Sequence, residues 1–291
     1  MFNKNFKTFE EYSQIYGLTF DGIEHRSFDF SAGGNKLVGQ VFQPKEYRAT
    51  VIIVHGYLVH CGTFGKFIKY MLDNHMAVAM FDLPGHGLSG GDRGVTSDFS
   101  QYTIALDEFL SIIKEKLHGP FHIVGHSTGG AIVMDYITGF GSGDFDKVVL
   151  AAPLVRFKLW HLSKIGCAIY MPFMKHIFRL FRNISSDAQY VDFLKHRDHL
   201  QVKSISLRWV RAIFKWEKKI SKMPVVNKPV FVVQGTNDTT VAWKYNLKFI
   251  LAKFKNADIE FVENAQHEFF NEAKQYRDAV FELIRDYLYK D

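Results

Sequence analysis

The sequence predicts an α/β fold: a mostly parallel sheet covered by helices on both faces, interrupted by one inserted helical segment. Three observations carry this. Short apolar, β-branched runs bounded by turn residues read as strands. From Thr50 onward they alternate with stretches of helical period. The alternation stops at Pro153 and resumes near Asn227, and the charge balance changes between those points. Strands that are near-continuous apolar runs are buried on both faces, which is the signature of a parallel sheet between helical layers.

In chain order, Leu37–Phe42 and Thr50–His55 read as strands, and Phe64–Asn74 has helical period. Ala77–Asp82 is a strand, Phe99–Leu117 a helix, Phe121–Gly125 a strand and Thr128–Phe140 a helix. Lys147–Ala151 is the last strand before the interruption. Afterwards come the strand Pro229–Gln234, the helix Lys244–Phe254, the strand Ile259–Val262 and a closing helix, Phe269–Tyr289. The interval has no good strand and is rich in Lys, Arg, Trp and Phe, so it reads as an inserted helical cap. The expected organisation is a core of residues 1–153 and 225–291 with a cap at 154–224.

Composition bounds the class. Of 291 residues, 47% are apolar and 23% charged, ordinary for a soluble globular chain. The 28 Phe raise the aromatic share to 15%; such rings fill cores and also line greasy pockets. Met1–Phe20 mixes Lys, Glu and Asn with aromatics and lacks the apolar stretch of a secretory signal. The longest apolar run, Ile165–Met174, is about half of the roughly 20 residues that a membrane-spanning helix needs. Cys61 and Cys167 have no metal-type spacing; a lone disulfide is open to them, and two free thiols in a reducing compartment are the favoured reading. A cytoplasmic protein is expected. The net charge of +6 is uneven: residues 155–223 hold 15 Lys/Arg against 4 Asp/Glu, and the remainder 21 against 26. A basic segment on an acidic body suits contact with something anionic, and it equally suits a solvated helical surface.

The chemistry is carried first by Gly125-His126-Ser127-Thr128-Gly129. As a bare G-x-S-x-G it is weak, but it directly follows one apolar strand and directly precedes a helix. A strained strand-to-helix turn lifts a serine hydroxyl out of the sheet, and a helix N-terminus favours a developing alkoxide. A serine hydroxyl needs a base, and the base an orienting acid. Along such a chain the order is Ser, then Asp or Glu, then His. Asp238 stands in Gly235-Thr236-Asn237-Asp238 just beyond a strand, and His267 follows the strand Ile259–Val262 after a short loop. Both lie at the carboxyl edge of the sheet, where catalytic groups of open α/β sheets collect. Asp146 precedes its strand and belongs to the wrong edge, His126 reads as a packing or supporting residue, and Glu268 as solvated or supporting. The oxyanion hole takes the amide of Thr128, after the nucleophile, and that of Tyr57, in the loop opened by His55-Gly56.

Four blocks together resemble the monoacylglycerol lipase and bacterial lysophospholipase group of α/β-hydrolases. They are His55-Gly56-Tyr57 with His60 and Gly62, the run from Asp82-Leu83-Pro84-Gly85-His86-Gly87 to Asp92-Arg93-Gly94, Gly125 to Gly130, and Asp238 with Ala265-Gln266-His267-Glu268. Their order and spacing match from about Leu37 to the C-terminus. Departures are Leu58 and Val59, where small and acidic residues are frequent, and Thr128, where Met is frequent. The resemblance implies an α/β-hydrolase fold and hydrolysis of monoacyl-lipid esters through an acyl-enzyme, with no cofactor or metal. It also implies a cap that covers the nucleophile and forms the acyl tunnel, with Leu58, Trp160, Met171 and Phe173 as pocket candidates.

The stretch Leu159–Phe181 interleaves Trp160, Ile169, Met171, Phe173, Met174, Ile177, Phe178, Leu180 and Phe181 with Lys164, Lys175 and Arg179; Lys158 and Arg182 flank it. An apolar face rimmed by cations suits acyl chains and an anionic membrane surface; packing on the core with snorkelling cations is the competing reading. The 13 His contain no H-E-x-x-H, and neither a P-loop nor G-x-G-x-x-G occurs, so metalloprotease and nucleotide-cofactor chemistry are not indicated. No nucleic-acid-binding motif accompanies the basic charge. Thioester and amide hydrolysis run on the same machinery. A non-catalytic binding protein would have no reason to keep nucleophile, acid, base and elbow glycines together.

Overall fold

Residues 6, 8–178 and 184–290 are described in the computed structural model. The chain runs through α1 (Phe9–Ile15), β1 (Ile23–Ala32), β2 (Asn35–Pro44), β3 (Ala49–Val54), α2 (Gly65–Asp73), β4 (Met76–Phe81) and α3 (Ser100–Lys116). Next come β5 (Phe121–His126), α4 (Thr128–Gly139) and β6 (Val148–Ala151). The inserted interval holds α5 (Trp160–Tyr170), β7 (His176–Phe178), α6 (Ala188–His196), β8 (Ser204–Ser206) and α7 (Leu207–Ile220). The core then closes with β9 (Val230–Gly235), α8 (Trp243–Lys253), β10 (Ala257–Val262) and α9 (Lys274–Tyr289).

Among the described residues one eight-stranded sheet has the order β1-β2-β4-β3-β5-β6-β9-β10. β2 is antiparallel to both β1 and β4, and every other neighbouring pair is parallel. β3, β4, β6 and β9 are buried at every position because alternate side chains feed two separate cores. Ile52, Ala79, Leu150 and Val232 join the cluster under α3, α4 and α8. Val51, Val78, Val149 and Phe231 join the one under α1, α2 and α9. The parallel order brings the carboxyl ends of β3, β5, β9 and β10 to one edge of the sheet, where the loops carrying the candidate residues emerge.

Three differences from the sequence reading have physical causes. β1 was not expected: an edge strand with one polar face, its residues Ile23–Ala32 alternate instead of forming an apolar run. The closing helix does not run from Phe269; a short 3₁₀ turn, Phe269–Asn271, precedes α9. Between them the buried Glu272 turns inward and accepts from the backbone amides of Gln266 and Ser186. The inserted interval also contains β7 paired antiparallel with β8, three residues each and too short to announce themselves. Residues 179–183, including Arg179 and Arg182 of the basic stretch, lie outside the described residues. No helix among the described residues is long and apolar enough to cross a membrane.

Candidate active site

Ser127 links β5 to α4 in a backbone setting of φ 52° and ψ −112°. A non-glycine residue rarely adopts positive φ, and the strain persists only where the surroundings over-determine it. They do so here. The Ser127 amide donates to Ala151 O at 2.9 Å, and its carbonyl accepts from Leu154 N at 3.0 Å and Ala131 N at 3.2 Å. α4 can start this close to the sheet only because Gly129 lacks a side chain, since a Cβ there would fall 2.0 Å from Val54 O.

The three residues singled out for nucleophile, base and acid meet across the sheet edge. His267 Nε2 lies 3.0 Å from Ser127 Oγ, and His267 Nδ1 lies 2.7 Å from Asp238 Oδ2. All three are almost fully buried. Asp238 follows β9 in a turn that gives its carboxylate two backbone donors: Thr240 N at 2.7 Å and Val241 N at 3.1 Å, both to Oδ1. Gln234 Nε2 donates to Oδ2 at 3.4 Å. Burial works to raise the Asp238 pKa, but His267 beside it and these amides outweigh burial and hold it below the usual carboxylate range. An ionised Oδ2 receives the His267 Nδ1–H, which leaves Nε2 with its lone pair toward the serine.

His126 does more than pack. Its Nε2 lies 3.0 Å from the His267 carbonyl oxygen, so Nε2 carries the proton and the ring ties the strand before Ser127 to the loop of His267. Burial lowers its pKa and keeps the ring neutral. The sequence offers a supporting residue here but gives no sign of this partner, which is 141 positions away.

The oxyanion candidates are held on either side of the serine. Thr128 opens α4, and Gly56-Tyr57 turns out of β3 so closely that a Cβ on Gly56 would lie 3.3 Å from Ser127 Cβ. Asp82, at the end of β4, braces this turn by accepting from Cys61 N at 2.8 Å and Leu88 N at 2.7 Å. His55 accepts from Leu83 N at 3.0 Å through Nε2, and its Nδ1 donates to Gly56 O at 2.7 Å. The His-Gly and Asp-x-x-Gly-His-Gly blocks therefore brace the loop that faces Ser127.

The pocket candidates divide. Leu58 is buried beside Tyr57 and has a φ of 70°. Trp160 is buried against Phe157 and Phe214, with ring centroids at 5.0 and 4.6 Å, and Met171 is half-buried on the same cluster. Phe173 does not line an enclosed pocket: it follows Pro172 past the end of α5 and is 84% exposed.

A sequence profile of the family described as serine aminopeptidase, S33, matches residues 45–274. The chain is 24% identical over 246 residues to the phospholipase YtpA of Bacillus subtilis, covering 81% of this chain and 93% of that one. It is 26% identical over 252 residues to the monoglyceride lipase of Homo sapiens, covering 81% of each. A soluble variant of monoglyceride lipase from Saccharomyces cerevisiae, solved with a substrate analogue, superposes with a TM-score of 0.78 at 21% identity, over 93% of this chain and 96% of that one.

Proposed function

The chain belongs to the serine aminopeptidase S33 family of α/β-hydrolases, and on that premise we propose that it hydrolyses carboxylic esters of monoacyl lipids through an acyl-enzyme on Ser127. The observation that carries this reading is the relay from Ser127 Oγ to His267 Nε2 at 3.0 Å and from His267 Nδ1 to Asp238 Oδ2 at 2.7 Å. Ser127 attacks the ester carbonyl while His267 removes its proton. The amides of Tyr57 and Thr128 receive the oxyanion, and ionised Asp238 stabilises the imidazolium. His267 then protonates the leaving alcohol, and deprotonates the water that releases the fatty acid.

The chemistry of the cap supports lipid esters over peptides. Of the four acids in residues 154–224, Asp187 pairs with Lys66, Asp192 with Arg197, and Asp198 with the Tyr16 hydroxyl and His60, so none of these three is left unpaired for the α-ammonium group that an aminopeptidase recognises. Glu217 of α7 is already held by Arg156, whose Nε donates to Oε1 at 2.9 Å. Residues 154–224 form the cap over the nucleophile, with Leu58, Trp160 and Met171 toward the acyl chain. The outer face of α5 leaves Leu162, Ile165 and Ile169 at 64%, 60% and 56% exposure; exposed Lys164 is on the same helix, and exposed Lys158 and Lys175 flank it in the chain. That face rests on an anionic membrane surface from which the substrate is drawn.

Turnover across lysophospholipids, monoacylglycerols, aryl esters and aminoacyl arylamides tests the reading. The esters are expected to react orders of magnitude faster than the arylamides. Ser127→Ala is expected to lose on the order of 10³-fold or more. Efficient arylamide cleavage with inert monoacyl esters would overturn the proposal.

A further inference from the structure

An oxyanion hole takes only the amide of Tyr57, yet the side chain of this residue is itself firmly held. Its hydroxyl donates to Gly94 O at 2.7 Å and accepts from Ser206 N at 3.0 Å. A phenolic hydroxyl has one proton to give, and both bonds are made to backbone. The ring is stacked on Trp209 of α7, with centroids 3.8 Å apart and planes at 9°, and meets the edge of His86 at 5.4 Å. Gly94 has to be glycine for this. Its φ is +66°, and a Cβ would fall 3.2 Å from Tyr57 Oη and 2.6 Å from a methyl of Val202.

Ser206 and Trp209 belong to one unit. Ser206 is the N-cap of α7, accepting from Trp209 N at 3.5 Å, and its amide is the one that reaches Tyr57. The first turn of α7 therefore grips Tyr57 twice, once by hydrogen bond and once by stacking. The grip passes to the reacting atoms through a short path: Tyr57 is one residue from Gly56, which lies against Ser127, and the following Leu58 is fixed at positive φ. A phenol pinned at its ring and at its oxygen leaves its own backbone little freedom, and oxyanion donors act by being oriented before the charge appears.

We propose that α7 of the inserted segment sets the oxyanion hole through Tyr57, with Trp209 and Ser206 as positioning residues. Catalysis then depends on the cap even for an ester too small to use an acyl tunnel. This inference rests on the triad reading and on the Tyr57 amide as oxyanion donor.

The test uses the full chain with p-nitrophenyl acetate and a trifluoromethyl ketone, which adds to the serine as a hemiketal oxyanion. Tyr57→Phe removes both hydrogen bonds and keeps the stack; Trp209→Leu removes the stack. Each is expected to lower kcat on the order of 10-fold with KM changed less than about twofold. Affinity for the ketone should fall by the same factor as kcat/KM, which a loss confined to folding would not produce. Trp209→Phe, which restores an aromatic face, should recover most of the loss. Tyr57→Phe changes a single oxygen atom and carries the test should Trp209→Leu not fold. Wild-type kcat and ketone affinity in folded Tyr57→Phe would overturn the inference. The wild type is labelled in parallel with a fluorophosphonate. A label absent from Ser127 would instead remove the triad reading on which the inference stands.

Discussion

Ser127 was legible in the sequence because its requirements are local: an apolar strand, two small neighbours and a helix start. Asp238 and His267 were legible for a related reason, since each follows a strand end and the sheet order delivers all three to one edge. What stayed hidden at this scale are contacts that join distant positions. The His126 bond to the His267 carbonyl spans 141 residues and the Ser206 bond to Tyr57 spans 149. Nothing in the spacing of either pair announces them. The acid assignment has a sharp consequence. Asp238→Asn turns an acceptor into a group that can present a donor to Nδ1, stabilising the wrong tautomer. Substrate binding should barely change while kcat falls on the order of 10⁴-fold. Near-normal turnover of that variant, with another carboxylate essential, would reassign the acid.

At the scale of elements, the buried parallel strands were readable because both their faces need apolar residues. β1 and the β7–β8 pair were not, one for its polar alternation and the other for its brevity. α5 illustrates a different limit. It opens the stretch Leu159–Phe181, whose mixture of apolar residues and cations allows both a core-packed segment and a surface one, and only the fold shows Leu162, Ile165 and Ile169 exposed. Each Lys near an anionic surface contributes about 1 kcal/mol, screened by salt. Reversing Lys158 and Lys175 to Glu should therefore weaken binding to phosphatidylglycerol-containing vesicles on the order of 10- to 100-fold at low salt and much less at high salt. Exchanging Leu162, Ile165 and Ile169 for Ser should weaken it at both. Equal vesicle affinity of all three proteins in a sedimentation assay would reduce this face to an ordinary solvated surface.

Across the whole molecule, the sheet buries two histidines, one just after β3 and one in β5, where burial disfavours the charged form. Burial takes His55 and His122 down to about 4 from an ordinary value of 6.5. Between those values the unfolded chain binds protons that the folded chain refuses, so the contribution of these two histidines to stability rises with pH from about 4 to 6.5 and is flat above. Each histidine shifts stability by up to about 3 kcal/mol over that window. The denaturant midpoint should drop as the pH is lowered from 6.5 to 4. His122→Leu should reduce the slope of unfolding free energy against pH by about one proton. An unchanged slope would show that His122 is protonated in the folded state.

The most direct test of the central claim is mass spectrometry of the protein quenched in acid during turnover of a monoacylglycerol. The account predicts a covalent adduct with the mass of the acyl chain, located on the peptide containing Ser127 and missing from Ser127→Ala. Steady turnover of the ester with that peptide unmodified, or an acyl adduct on a different side chain, would contradict it.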